Sequence, residues 1–187
     1  MIACLPGRGT AIVDSAAPAR SSAAASARPS PRSITPKSPP TRKGRMSTDA
    51  SFLTAEDLEF LRRPLHGFLS VAGGPLPPQP LPVWFEATAE GTIQLFTGPD
   101  TLKVRRLHSD PRASIVVAAP VGERERWLSV TGRTTVEPDG AHDLAARLAA
   151  RYWDLGDSVR AADLAAIQAE AQVRLVIHPE NVRRYQH

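Results

Sequence analysis

From Phe52 onward the apolar positions recur in two periods, and each period marks elements that can be taken in chain order. Thr54-Ala-Glu-Asp57 reads as the start of a helix with a capping-box-like arrangement, Asp57 standing where Glu is usual. Leu58, Phe60 and Leu61 give that helix an apolar face, and Pro64 ends it. Residues 66–73 (HGFLSVAG) and 81–87 (LPVWFEA) read as strands joined by a Gly- and Pro-rich approach, GGPLPPQP. Pro80 and Pro82 stand two apart, so both missing N–H groups point the same way, which suits an edge or a bulge. Ala89-Glu90-Gly91 makes a hairpin turn into 93–97 (IQLFT), where Ile93, Leu95 and Thr97 share one face and Gln94 and Phe96 the other.

Gly98-Pro99 stops this strand, and Asp100 or Thr101 is placed to cap a short helix carrying Lys103, Arg105 and Arg106. Pro111 disfavours helical geometry before it, so that helix is expected to end near Ser109. SIVVAA (114–119) is a β-branched, buried strand. In RWLSVTGRTTVE (126–137), Trp127, Ser129, Thr131 and Arg133 share one face, and Leu128, Val130 and Thr134 the other. Two helical segments follow, AHDLAARLAARYW and VRAADLAAIQAEA; in the first, Leu144, Leu148 and Trp153 or Arg151 keep helical spacing. VRLVIHP (173–179) is a last strand, after which Asn181-Val-Arg-Arg-Tyr closes the chain. Six strands with mostly short links favour an antiparallel sheet, so the expected fold class is mainly β, six antiparallel strands in a small closed or split barrel with flanking helices.

Charge changes the picture more than composition does. The 187 residues carry a formal +4, which points at first to nucleic acid. Residues 1–46 hold eight Lys or Arg and one acid, Asp14, for +7, so the remainder carries −3 and the nucleic-acid expectation is dropped. Those 46 residues are Ala, Ser, Pro and Arg with little periodicity, and are expected to be a disordered tail or an over-extended start upstream of Met46. A secretory signal is broken by Pro6, Gly7, Arg8 and Gly9, and an organellar transit peptide is the other alternative. Residues 47–187 are expected to form one domain. Cys4 is the single cysteine, no apolar run reaches the roughly 18 residues of a membrane span, and a cytoplasmic location is expected.

No hydrolase constellation or metal-ligand spacing stands out: His66, His108, His142, His178 and His187 are scattered. No catalytic side chain and no metal ligand is assigned. The candidate chemistry lies in the basic helix, where Lys103 and Arg105, helped by Thr97 and Thr101, are placed to grip a phosphate at a helix N-terminus; the alternative is a solvated basic face. Trp84 and Trp127 either pack in the core or an interface, or lie against a flat heteroaromatic ring.

Taken together, PVWF (82–85), LFT (95–97), Thr101-Leu-Lys-Val-Arg105, Asp-Pro-Arg (110–112) before a β-rich strand, WLSVTG (127–132) and HPENVRRY (178–185) resemble the pyridoxamine 5′-phosphate oxidase-like family, the FMN- or deazaflavin-binding split-barrel oxidoreductases. The resemblance covers about residues 52–185 in order, and the K-x-R…D-P-R-A-S-I-V-V block is its most specific part. It implies a homodimer with the cofactor between protomers. Lys103 and Arg105 would hold the cofactor phosphate with hydroxyl help from Thr97 and Thr101. The Val83–Trp84 backbone would line the ring, and Trp127 the far wall or the substrate side. True pyridoxamine-phosphate oxidases carry Arg-Lys where this chain has Leu102-Lys103, Gln near Trp127, and an Arg/His ending absent from VRRYQH. The pattern resembles more closely the branch using coenzyme F-420, with FMN as the alternative cofactor and a small organic molecule as substrate. A non-catalytic module sequestering flavin, haem or a fatty acyl group is the alternative of a different class.

Overall fold

The first helix of the computed structural model, which describes residues 52–73 and 77–187, is α1 (Ala55–Leu61). The expected tail, residues 1–46, lies outside the described residues. Both arms of the capping box are made: Thr54 Oγ1 accepts from the Asp57 amide at 3.2 Å, and the Asp57 carboxylate accepts from the Thr54 amide at 2.8 Å.

The described strands are β1 (Gly67–Val71), β2 (Leu81–Val83), β3 (Glu86–Ala87), β4 (Ile93–Thr97), β5 (Arg112–Ala118), β6 (Arg126–Glu137) and β7 (Val173–Gln186). They form one antiparallel sheet in the order β2-β1-β5-β6-β7-β4-β3. β2 and β3 therefore occupy opposite edges, yet only Trp84 and Phe85 separate them in the chain. One short segment holds both edges, so the sheet curls into a barrel that is split at this link. The single strand expected over 81–87 is broken here, which turns six expected strands into seven. Phe85 is fully buried at the break, while each half of the segment bonds a different neighbour: Val83 opposite Gly67, Glu86 opposite Gln94. Pro82 lies in β2 at a sheet edge, with Pro80 just before the strand begins.

β7 is the second correction. The strand expected over 173–179 runs on to Gln186, because a bulge carries the pairing past Pro179: Thr131 faces Asn181, Gly132 faces Pro179, and Glu180 is the extra residue. Apolar alternation fades after Ile177 because the remainder is largely exposed, so the sequence carries no periodic signal there. Gly132 is required at the bulge, since a Cβ would stand 2.0 Å from the His178 carbonyl oxygen.

The interior face of the barrel carries Leu69, Ile93, Leu95, Ile115, Val117, Leu128, Val130, Leu175 and Ile177, all buried. α1 adds Phe60 and Leu61 to this core, and α2 (Leu102–Ser109) adds Val104 and Leu107. α3 (Ala141–Tyr152) packs on β4 through a buried Leu144/Leu148 stripe, and α4 (Ser158–Ala169) packs on α3. Thr134 sits on the interior face of β6, buried, with no hydrogen-bond partner for its hydroxyl among the described residues. Thr134→Val keeps the shape and removes the orphaned hydroxyl, and is expected to stabilise by about 1 kcal/mol, raising Tm by about 3 °C in a thermal unfolding scan.

Candidate functional site

α2 opens directly after the turn that ends β4. Thr101 takes the N-cap position with extended backbone, but its hydroxyl makes no cap bond; it turns back to donate to the Gly98 carbonyl at 3.0 Å. The first-turn N–H groups are thus left without a side-chain cap, and no acid lies in that turn. Such an end concentrates orphan donors and the positive pole of the helix, which suits an anion. Lys103 belongs to this first turn. Arg105, two residues on, leaves the helix on the opposite flank, about 200° around. Its long side chain nevertheless folds back, and Nη1 donates to the Asp100 carbonyl at 2.6 Å. Arg106 and His108 fall in the last turn, where they complement the helix dipole.

The Asp-Pro-Arg block proves to be a structural fastening. Asp110 accepts from the Arg112 amide at 3.1 Å and from its guanidinium at 2.6–3.2 Å, pinning the passage from α2 into β5. The guanidinium beside Asp110 holds its carboxyl down at about 2.

The split in the barrel lies beside the α2 turn. β3 pairs with β4 only through Glu86–Gln94 and Ala87–Ile93, and Val83 pairs instead with Gly67 of β1. Thr97 ends β4 four residues before Thr101, pairs with Val173 of β7, and has no strand pairing with Val83 or Trp84 among the described residues. Thr97 is 7% exposed, on the interior side with Ile93 and Leu95. Val83 packs its side chain against the core. Trp84 is engaged in packing: its ring stacks on Tyr152 at 5.1 Å and 9°, and meets Trp153 edge-on at 4.5 Å. Burial among these groups pushes the Tyr152 phenol up.

Trp127 stands apart from this group. It lies on β6, three strands from β2 and so roughly 14 Å around the sheet. Its ring stacks on Tyr185 of β7 at 5.7 Å and 9°. It belongs to an uncovered sheet face on which Phe68, Val116 and Ser129 form one cross-strand row, and Ala118, Trp127 and Tyr185 another. Phe68 is 44% exposed, Val116 37% and Tyr185 39%, so this face presents apolar surface to solvent. Toward its other end a groove of about 430 Å³ is lined by Ser70, Ser114, Thr131, Arg112 and Glu180.

Sequence reasoning missed Arg151, Tyr152 and Tyr185. The one signal for Arg151 was its place in the apolar stripe of α3, where a cation implies buried partners. Tyr185 gave none, because its partner Trp127 is 58 residues away and only the β6–β7 register joins them.

Residues 53–184 match the model of the pyridoxamine 5′-phosphate oxidase family. Among solved structures, the chain is similar to a conserved hypothetical protein from Mycobacterium tuberculosis, with TM-score 0.59, 20% identity, and 76% of this chain and 91% of that one covered. It is also similar to an F420 reductase, with TM-score 0.52, 22% identity, and 67% of this chain and 94% of that one covered. No curated protein sequence matches it.

Proposed function

The chain belongs to the pyridoxamine 5′-phosphate oxidase family, and on that premise we propose that it is a cytoplasmic, homodimeric oxidoreductase that transfers hydride between reduced coenzyme F-420 and a small organic substrate. The observation that carries this reading is the uncapped first turn of α2, flanked by Lys103 and Arg105, opening four residues after Thr97 ends β4. The donor set suits a phosphate: one ammonium, one guanidinium already held over the turn, and backbone N–H groups with no side-chain cap. The deazaflavin supplies the hydride chemistry when bound. The chain supplies anchorage through Lys103, Arg105 and Thr101, and orientation through the Val83–Trp84 backbone. No side chain is assigned to proton transfer.

Leu102, 54% exposed, stands where true pyridoxamine-phosphate oxidases carry Arg, which speaks against that oxidation. One similar structure is an F420 reductase; at 22% identity it supports the fold, and F-420 is ranked above FMN on the K-x-R…D-P-R block. Titration of the purified protein with F-420 and with FMN, read by tryptophan fluorescence, tests the reading. Quenching at lower F-420 than FMN supports it; tighter FMN binding reassigns the cofactor, and binding of neither overturns the oxidoreductase reading.

The homodimer is proposed on the uncovered face of β1, β5, β6 and β7. A partner seated there would cover Phe68, Val116 and Tyr185, apolar surface that one chain leaves exposed. Val116→Arg sets a charge in the centre of that face and is expected to give a monomer by light scattering, with cofactor affinity falling at least tenfold, because burying an unpaired charge costs several kcal/mol.

A further inference from the structure

The last turn of α3 converges on the split in a way that neither its sequence nor the cofactor reading requires. Arg151 Nη2 donates to the carbonyls of Leu61 and Arg63, both at 2.6 Å, and Nη1 donates to the carbonyl of Phe85 at 3.4 Å. Leu61 and Arg63 lie at the exit of α1, and Phe85 lies in the β2–β3 link, so one planar guanidinium ties two segments that no strand pairing joins. The neighbouring Tyr152 repeats the pattern. Its hydroxyl donates to the Leu65 carbonyl at 2.6 Å while its ring stacks on Trp84. Trp153 meets Trp84 edge-on, and the Arg160 guanidinium lies 5.0 Å from the Trp153 ring. Carbonyls of irregular backbone are thereby satisfied by side chains instead of a ladder, which fixes the path of a link that has no strand partner of its own.

We infer that Arg151 and Tyr152 are positioning residues that set the width of the split and hold the Val83–Trp84 backbone at the distance a flat cofactor ring needs. The inference rests on the reading that this backbone lines the ring. Neither residue touches the phosphate turn, so the two ends of the site are separable. Loss of Arg151 acts on ring binding, and loss of Lys103 acts on phosphate binding.

The experiment compares coenzyme F-420 with its phosphate-free deazaflavin riboside, and FMN with riboflavin, by fluorescence titration of full-length variants well below their Tm. Arg151→Met is expected to weaken both members of a pair by the same factor, at least tenfold. Lys103→Ala is expected to weaken only the phosphorylated member. Arg151→Lys keeps the charge but not the fork, and is expected to fall between parent and Arg151→Met. Should Arg151→Met fail to fold, Tyr152→Phe removes only the Leu65 bond and is expected to weaken both members threefold to fivefold. A purely structural role would lower Tm and leave these affinities within twofold of the parent, and that result overturns the inference. A Lys103→Ala variant that binds both members as the parent does overturns the underlying site reading instead, whatever the Arg151 variants do.

Discussion

Asp57→Ala is expected to lower the stability of the domain by about 3 kcal/mol, seen as a fall in Tm of about 10 °C. Asp57 is 2% exposed and its carboxylate accepts four hydrogen bonds. Its carboxylate accepts from the Thr54 amide, closing the capping box of α1, and takes a bidentate pair from Arg184 at 2.7–3.0 Å. Arg184 in turn donates to the Phe52 carbonyl at 2.7 Å, so the pair fastens the start of the domain to the last strand across 127 residues of sequence. The loss of a cap is worth about 1 kcal/mol, and the stranded guanidinium adds the rest. Arg184 keeps 41% of its side chain exposed and can rehydrate, which holds the cost to the lower part of the range for buried pairs. Asp57→Asn keeps an acceptor for the Thr54 amide and is expected to lose about half as much.

The pH dependence follows from the same contacts. Burial pushes the Asp57 carboxyl up, but hydrogen bonds from Arg184 and Thr54 outweigh it and hold the group below its ordinary 3.8. A carboxyl depressed in the folded state contributes stability above the unfolded value and loses it as pH falls through the folded one. The Tm gap between the parent and Asp57→Asn is therefore expected to be constant from neutral pH down to about 4 and to close below 3.8. A gap that persists to pH 2 would assign the loss to shape and not to charge.

Where the residues alternate against a buried face, the sequence and the structure agree nearly residue for residue. β4, α2 and β6 fall where the pattern sets them, because Gly98-Pro99, Pro111 and Pro138 punctuate each end and one face of each element meets the core. The exceptions have physical causes. The 81–87 segment shows continuous β propensity, but its break depends on which neighbours each half bonds, a property of barrel closure and not of local sequence. The second half of β7 is exposed, so no hydrophobic period announces it.

Part of the candidate site lies within one stretch of sequence. Thr97, Thr101, Lys103 and Arg105 are close in sequence, and a strand–turn–helix places them together whatever the rest of the chain does. Trp84 reads as an aromatic in a strand, yet its packing against Tyr152 spans 68 residues and only the docking of α3 reveals it. The spacing of Lys103 and Arg105 also misleads by itself, since i and i+2 diverge on a helix; Arg105 instead reaches back onto the Asp100 carbonyl.

Lys103→Ala is the variant with the largest expected effect on binding. A charge-assisted hydrogen bond to phosphate contributes roughly 1.5–3 kcal/mol, so the dissociation constant for the phosphorylated cofactor is expected to rise roughly 10- to 100-fold. The phosphate-free counterpart gains nothing from the ammonium and is expected to bind both proteins alike. The helix N-terminus and Arg105 remain in the variant, so binding should be weakened and not abolished. Salt sharpens the comparison: raising ionic strength from 0.05 M to 0.5 M screens the ammonium–phosphate attraction and should narrow the difference between parent and variant, because the screening length falls to roughly 4 Å. Arg105→Ala is also expected to weaken binding, since its guanidinium reaches back to the Asp100 carbonyl of the same turn. Equal losses from both variants would place the two cations on the phosphate as equivalent ligands; no loss from either would remove the phosphate from this turn.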